Sequence, residues 1–308
     1  MNKILIFLFI GLNLTVQAQQ DAIYSQYSFN PLAINPAYAG TRNSFSAVLL
    51  SRTQWVGIEG APKTQSLAVH SPTNKAKLAF GFNMAYDQLG PSKNLNAAFT
   101  TAYHLKFKKS NLSLALRAGF YNSVLDKNKL NFQNQTDIFN EGGVYVSTVP
   151  SFDFGAYYYK TKFFIGLSIT HLTRQEFNFY EEIYLNGGTT DNFLRTHVFL
   201  TSGYVFEINE NFVFKPSFLL KATEGALPNL DLSFNALFYK KFWIGLSFRN
   251  KSSVNFMTEF NITDFMRIGY AYDYSINKLS NYNKGSHEIF IGFDFNLKSK
   301  KIVSPRYL

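Results

Sequence analysis

Nine charged side chains fall on the polar faces of alternating segments and are the first candidates for chemistry: Asp153, Lys215, Lys221, Asp231, Arg249, Glu259, Arg267, Asp273 and Asp294. A ring of one sign would select ions, whereas mixed signs on neighbouring strands pair with one another. Both signs occur on adjoining segments here, so cross-strand pairing is the expected use of these groups. The five histidines, at 70, 104, 171, 197 and 287, show neither an HxH nor an HExxH spacing, so they do not read as metal ligands. The chain holds 0 cysteines, which removes thiolate chemistry and disulfides. Serine and histidine are present, but no GxSxG turn exposes a nucleophile. The Asp- and Asn-rich stretch from Asp126 to Glu141 lacks EF-hand spacing and reads as a solvated loop. The residues therefore point away from an enzyme, and they call for no cofactor.

The elements that must position these side chains are strands. In Leu112–Phe120, Leu112, Leu114, Leu116 and Phe120 alternate with Ser113, Ala115, Arg117 and Gly119. The same period of two runs through Leu230–Phe238, Val254–Ile262, Met266–Tyr274 and Ile289–Leu297, and no window keeps a 3.6-residue period. Segments of this kind are predicted at 43–55, 63–71, 76–88, 94–107, 111–122, 150–160 and 162–172. They continue at 194–207, 211–221, 229–239, 241–249, 254–262, 265–275 and 286–297. The five alternating runs quoted first each span about 9 to 11 residues, the length that a tilted strand needs to cross a bilayer, and an even number such as about fourteen suits a bacterial outer-membrane barrel. The links sort by length as well. Those after even-numbered strands (72–75, 108–110, 161, 208–210, 240, 263–264) are short, as periplasmic turns are. Those after odd-numbered strands (56–62, 89–93, 123–149, 173–193, 222–228, 276–285) are longer, as extracellular loops are, with 250–253 short.

Composition decides which face meets what. The chain is 46% hydrophobic, 18% aromatic and 16% charged, the last well below the roughly 25% of ordinary soluble chains. Apolar faces on so many strands could not all be turned to water. The opposite faces carry Gly, Ser, Ala, Asn and Thr rather than the Lys and Glu of a soluble sandwich, which suits a crowded lumen. The predicted fold is all-β, a transmembrane antiparallel β-barrel with short periplasmic turns and longer extracellular loops. Tyr86, Tyr103, Tyr121, Tyr204, Tyr239 and Tyr274 lie at segment ends, where aromatic girdles form. The net charge of +10 is scattered, so nucleic acid is not an expected partner.

Residues 1–18 read as a Sec signal peptide: Lys3 precedes the apolar run Ile4–Leu12, and Val16-Gln17-Ala18 offers a small-residue cleavage site. Residues 19–42 form a lead-in, either periplasmic or packed in the lumen. The barrel is expected over 43–297 and a basic periplasmic tail over 298–308. Within the lead-in, YSQYSFNPLAINPAYAG at 24–40 carries no charge and two Asn-Pro steps, which force turn or extended backbone. The placement expected for it is the periplasmic mouth.

This stretch, with its QY…NP…INPAYAG pattern, and RTQWVGIEGAPKTQSLAVHSP at 52–72 resemble the N-terminal signature of the PorP/SprF family of type IX secretion and gliding proteins. YKKFWIGLSFR at 239–249 and Ser304-Pro305-Arg306-Tyr307 resemble two further family elements. The resemblance implies a non-enzymatic component of the outer membrane, exported by the Sec route with cleavage near Ala18. That component would support secretion or surface anchoring of cognate substrates such as gliding adhesins. It implies as partners outer-membrane lipid, type IX components in the periplasm and outer membrane, and a secreted or surface adhesin. Matched positions are Gln26, Tyr27, Asn30, Pro31, Asn35, Pro36, Tyr38 and Gly40, then Gln54, Trp55, Gly57, Gly60, Pro62 and Lys63. They serve either partner contact or the folding of the lead-in and first hairpin. The alternative function is an outer-membrane transporter or porin for a small ligand.

Overall fold

The computed structural model describes residues 24–42, 44–73, 77–130, 142–177 and 193–296. The expected signal segment, residues 19–23, the basic tail with Ser304–Tyr307 and the centres of two long loops lie outside the described residues.

Alternation of apolar and small or polar residues produces strands whose two faces differ in kind. In order they are β1 (Ser44–Thr53), β2 (Lys63–Pro72), β3 (Leu78–Leu89), β4 (Ser92–Lys106), β5 (Asn111–Asp126), β6 (Val144–Tyr159), β7 (Phe163–Thr170) and β8 (His197–Tyr204). There follow β9 (Phe206–Asn209), β10 (Phe212–Thr223), β11 (Asn229–Phe238), β12 (Phe242–Arg249), β13 (Ser253–Asn261), β14 (Met266–Ser275) and β15 (Ser286–Asn296). Both β8 and β9 pair with β10, and the Val205 amide between them donates to the Lys162 carbonyl at 2.7 Å. They are two halves of one strand bent at Val205.

Fourteen antiparallel strands thus join neighbour to neighbour. The ring closes where β15 pairs with β1, from Ser44 opposite Asn296 to Thr53 opposite His287. Closure leaves no sheet edge, the condition for strands to cross hydrocarbon. The predicted segments coincide with these strands to within a few residues, except that β6 begins at Val144, before the expected 150.

β12 shows how the faces divide. Trp243, Gly245, Ser247 and Arg249 are buried inside, while Ile244, Leu246 and Phe248 stand exposed outside. The same holds around the wall, with Phe99, Leu116, Phe234, Phe256 and Ile289 outward. Large apolar residues outside and small or polar ones inside are the arrangement that lipid stabilises.

The links after β2, β4, β6, β9, β11 and β13 are short and lie on one rim; the longer loops, after β1, β5, β7, β10 and β14, lie on the other. One expected loop differs. The link predicted at 89–93 is only Gly90-Pro91, because β3 and β4 run on together to Leu89 opposite Ser92. Among the described residues no helix is long and apolar enough to cross a membrane, and the helical pieces are short 3₁₀ turns.

Candidate functional site

Residues 24–42 fold inside the barrel and cross most of its length. Each Asn-Pro step makes a 3₁₀ turn, Pro31–Ala33 after Asn30 and Pro36–Tyr38 after Asn35. Proline fits the first position of a helical turn because its missing N–H would have no partner there. Asn35 caps the second turn, its Oδ1 accepting from the Ala37 amide at 2.9 Å, and its Nδ2 donates to the Ala156 carbonyl at 3.2 Å. The wall makes room for it: a Cβ at Gly155 would stand 2.4 Å from Asn35 Oδ1, and one at Gly166 would stand 2.8 Å from its Nδ2.

Seen from the lead-in, the stretch descends from the long-loop half to the short-turn rim, so the expected placement at the periplasmic mouth needs correction. Only its last residues reach the short-turn rim. There Tyr38 packs edge-on against His70 and Tyr157, and the Gly40 amide donates to His70 Nδ1 at 3.1 Å. Gly40 has φ +76°, and a Cβ on it would fall 2.3 Å from that of Ala79, so glycine is required twice over. At the opposite end Gln26 and Tyr27 are buried. The Tyr27 hydroxyl meets Ser233 Oγ at 2.9 Å. Burial first, and Asp231 second, push this hydroxyl above its ordinary range, so it stays neutral.

The inward charges grip this segment. Glu288 accepts from the Ser25 amide at 2.9 Å and the Gln26 amide at 2.8 Å, and from Arg52 at 3.1 Å. Arg52 also reaches Asp273 at 2.7 Å and Ser25 Oγ at 2.8 Å. Arg249 binds Asp231 at 2.9 Å and the Tyr24 carbonyl at 3.2 Å. Arg267 binds Glu259 at 3.0 Å, Asp294 at 3.2 Å and the Phe29 carbonyl at 3.3 Å. Arg117 binds Asp153 and the Leu32 carbonyl. Arg42, from the lead-in itself, joins Asp294 at 2.9 Å and Tyr38 Oη at 3.0 Å.

Three arginines therefore split their donors between a wall carboxylate and a lead-in carbonyl. The five-donor guanidinium fork permits this where a lysine ammonium would not reach both in fixed geometry. Asp231–Arg249 and Glu259–Arg267 join neighbouring strands, β11 to β12 and β13 to β14. Lys215 and Lys221 differ: their ammonium groups lie 5.3 Å from the Trp243 ring centre and 5.6 Å from that of Phe199. Sequence reading missed Arg42, Arg52, Arg117 and Glu288 as a gripping set. Strand parity was the available signal, since Glu288 lies an even number of residues from Asp294 on the same strand.

The second part of the motif lies elsewhere. Gln54, Trp55, Gly57, Gly60 and Pro62 form the β1–β2 loop at the long-loop rim, and Lys63 opens β2. The Gln54 amide donates to the Pro62 carbonyl at 2.9 Å, and the Trp55 amide to Ser286 Oγ at 3.1 Å. The Gly60 carbonyl accepts from Gly90 at 2.8 Å, so this loop ties together its neighbours on both sides. Arg52, in the same stretch of sequence, is what joins this loop to the lead-in.

A cavity of about 110 Å³ remains on the long-loop side of the lead-in. Tyr24, Tyr27 and Ile34 form its floor, and Ser66, Asn83, Tyr121, Thr170, Lys221 and Arg249 lie among its walls. His171 Nδ1 meets Ser151 Oγ at 2.8 Å, but the neighbouring carboxylate, Asp153, accepts from the His171 backbone amide instead of orienting its ring. That is not the geometry of a nucleophilic triad. Among the described residues no group of three His, Asp or Glu side chains could hold a metal ion.

The family model described as type IX secretion system membrane protein PorP/SprF matches residues 16–293. The chain belongs to this family. Comparison with curated proteins gives no match. Among solved structures, the toluene transporter TbuX of Ralstonia pickettii is 12% identical, with a TM-score of 0.54 over 87% of this chain and 93% of that one. The toluene transporter TodX of Pseudomonas putida is 9% identical, with a TM-score of 0.50 over 87% and 94%. At such identities the likeness is one of fold. Fold and family together make this PorP/SprF chain an outer-membrane β-barrel of the type IX secretion system.

Proposed function

We propose that this PorP/SprF barrel is a plugged, non-enzymatic scaffold supporting the secretion or surface anchoring of cognate substrates such as gliding adhesins. It reaches the outer membrane by Sec export with cleavage near Ala18 and acts through protein contacts at its rims. The carrying observation is the lumen filled by the chain's own residues 24–42, held by buried ion pairs on strands as distant as β5 and β15. A barrel so filled has rims and loops to offer a partner rather than a conduit. The matched positions divide accordingly. Those of 26–40 serve the plug, while Gln54 to Lys63 shape a rim loop available to type IX components or substrate.

Deleting the gene in a strain without paralogues should abolish surface display of one adhesin class, and the intact gene should restore it. Unchanged display and motility would refute the reading. A second reading, a transporter for a small ligand, is favoured by the 110 Å³ cavity and by the toluene transporters that share the fold. Uptake assays separate the two: loss of a nutrient's uptake with secretion intact would favour the transporter.

A further inference from the structure

Exposed charge is unevenly divided around the short-turn rim. Three successive turns, β2–β3, β4–β5 and β6–β7, carry Lys77, then Lys106, Lys108 and Lys109, then Lys160 and Lys162, all exposed. Because β2 to β7 are consecutive neighbours in the sheet, these turns lie side by side. The His104 amide on β4 donates to the Lys77 carbonyl at 2.7 Å, which ties the first turn to the second. Among the described residues of the three turns there is no carboxylate. The neighbouring strand β9 supplies Glu207, 3.8 Å from Lys162 with both groups about half exposed, and the turn that follows it carries Glu210. The Lys162–Glu207 pair holds little in water. Farther round, the signs mix: Lys240, Lys241 and Asp264.

The arc begins where the lipid-facing wall ends. Leu78, Phe80, Tyr103, Leu105 and Phe107 are exposed, outward and within a few residues of Lys77, Lys106 and Lys108. Lys160 lies over the ring of Tyr158, 5.7 Å from its centre. Apolar and aromatic residues ending in lysines are what the boundary of hydrocarbon and headgroup selects, since the stems rest on the apolar surface and the ammonium groups reach the phosphates.

We propose that this arc is a docking surface for anionic phospholipid headgroups in the leaflet on the short-turn side. Phosphodiesters with net negative charge, as in phosphatidylglycerol or cardiolipin, supply the countercharge that the described residues of these three turns do not. A lipid is favoured over an acidic protein because the lysines border the band that the bilayer already covers. The plug leaves the lumen beside the same arc, at Gly40 against Ala79 and His104, so bound headgroups would also brace the rim where the lead-in ends. This inference needs only the barrel in its membrane and stands apart from the secretion role.

The test uses the full chain refolded into bilayers, with spin-labelled phosphatidylglycerol and phosphatidylcholine reporting relative association. The wild type should favour the anionic lipid by roughly threefold or more, given several lysines each attracted to a negative surface. That preference should fall away in 1 M salt, where the screening length is about 3 Å. Replacing Lys77, Lys106, Lys108, Lys109, Lys160 and Lys162 by Gln should bring the ratio close to one, whereas replacing the same six by Arg should keep it. Replacing five exposed lysines of the opposite half, Lys93, Lys129, Lys251, Lys278 and Lys284, by Gln should leave it unchanged. Heat-modifiable gel migration checks that each variant is folded. No preference in the wild type, or an equal preference in the six-Gln variant, would overturn the proposal. So would a six-Gln variant whose one defect is lost binding to a periplasmic protein.

Discussion

The two walls of this lumen are built differently. From β11 through β15 to β1 the inner face carries Asp231, Arg249, Glu259, Arg267, Asp273, Glu288, Asp294 and Arg52, nearly all bonded to one another or to the lead-in. From β2 to β10 it carries mostly hydroxyls, amides and histidines, with the pair Arg117–Asp153 and the buried Lys215 and Lys221, and most of the cavity's lining lies there. One wall grips and the other leaves space. Buried charges are costly unless satisfied, so a wall this rich in them loses stability when the lead-in is removed. The lead-in is therefore part of the barrel's structure, and the seam where β15 meets β1 is clamped through it at both Glu288 and Asp294.

This contrast can be broken residue by residue. The largest effect is expected for Glu288→Ala, which strips Arg52 of a partner and leaves the Ser25 and Gln26 amides unmet. Loss of one member of a buried pair costs about 3–5 kcal/mol, measured by urea unfolding in lipid, and a double change of Arg52 and Glu288 to apolar residues should recover part of it.

Next comes a test on two adjacent residues with opposite faces. Phe234 is 48% exposed on the lipid side at the middle of β11, so Phe234→Arg should cost about 2–4 kcal/mol in the same assay. Its neighbour Ser233 faces inward against Tyr27, and Ser233→Ala should remove a single hydrogen bond, about 1 kcal/mol. Asn35→Ala should fall between these two, about 1–2 kcal/mol, from loss of the cap and of the bond to Ala156. Equal costs on the two faces of β11 would remove the distinction between lipid wall and plugged lumen.

Much of the barrel was legible because alternation is local. Leu230 to Phe238 shows its faces to any reader of period two, and lengths and link sizes supplied the rest. The β3–β4 hairpin escaped because polar Asp87, Gln88 and Ser92 continue the strands past the end of the apolar pattern. The lead-in escaped for a deeper reason. Its bonds run to residues as remote as Glu288, and a stretch without charge or period carries no mark of where it docks. Its turns could be read from Asn-Pro, but its destination is written in the wall, at Arg52, Arg117 and Glu288, whose meaning emerges only once strand parity is joined to register. The matched Gln54 to Lys63 loop likewise carries no sign in sequence of its bonds to Gly90 and Ser286.

The central claim is that residues 24–42 plug the lumen, and single-channel recording in planar bilayers tests it most directly. The full chain should be electrically silent, while a chain with residues 24–40 replaced by a Gly/Ser stretch of equal length should give stable conductance steps. Stable steps of the same size from both proteins would contradict it.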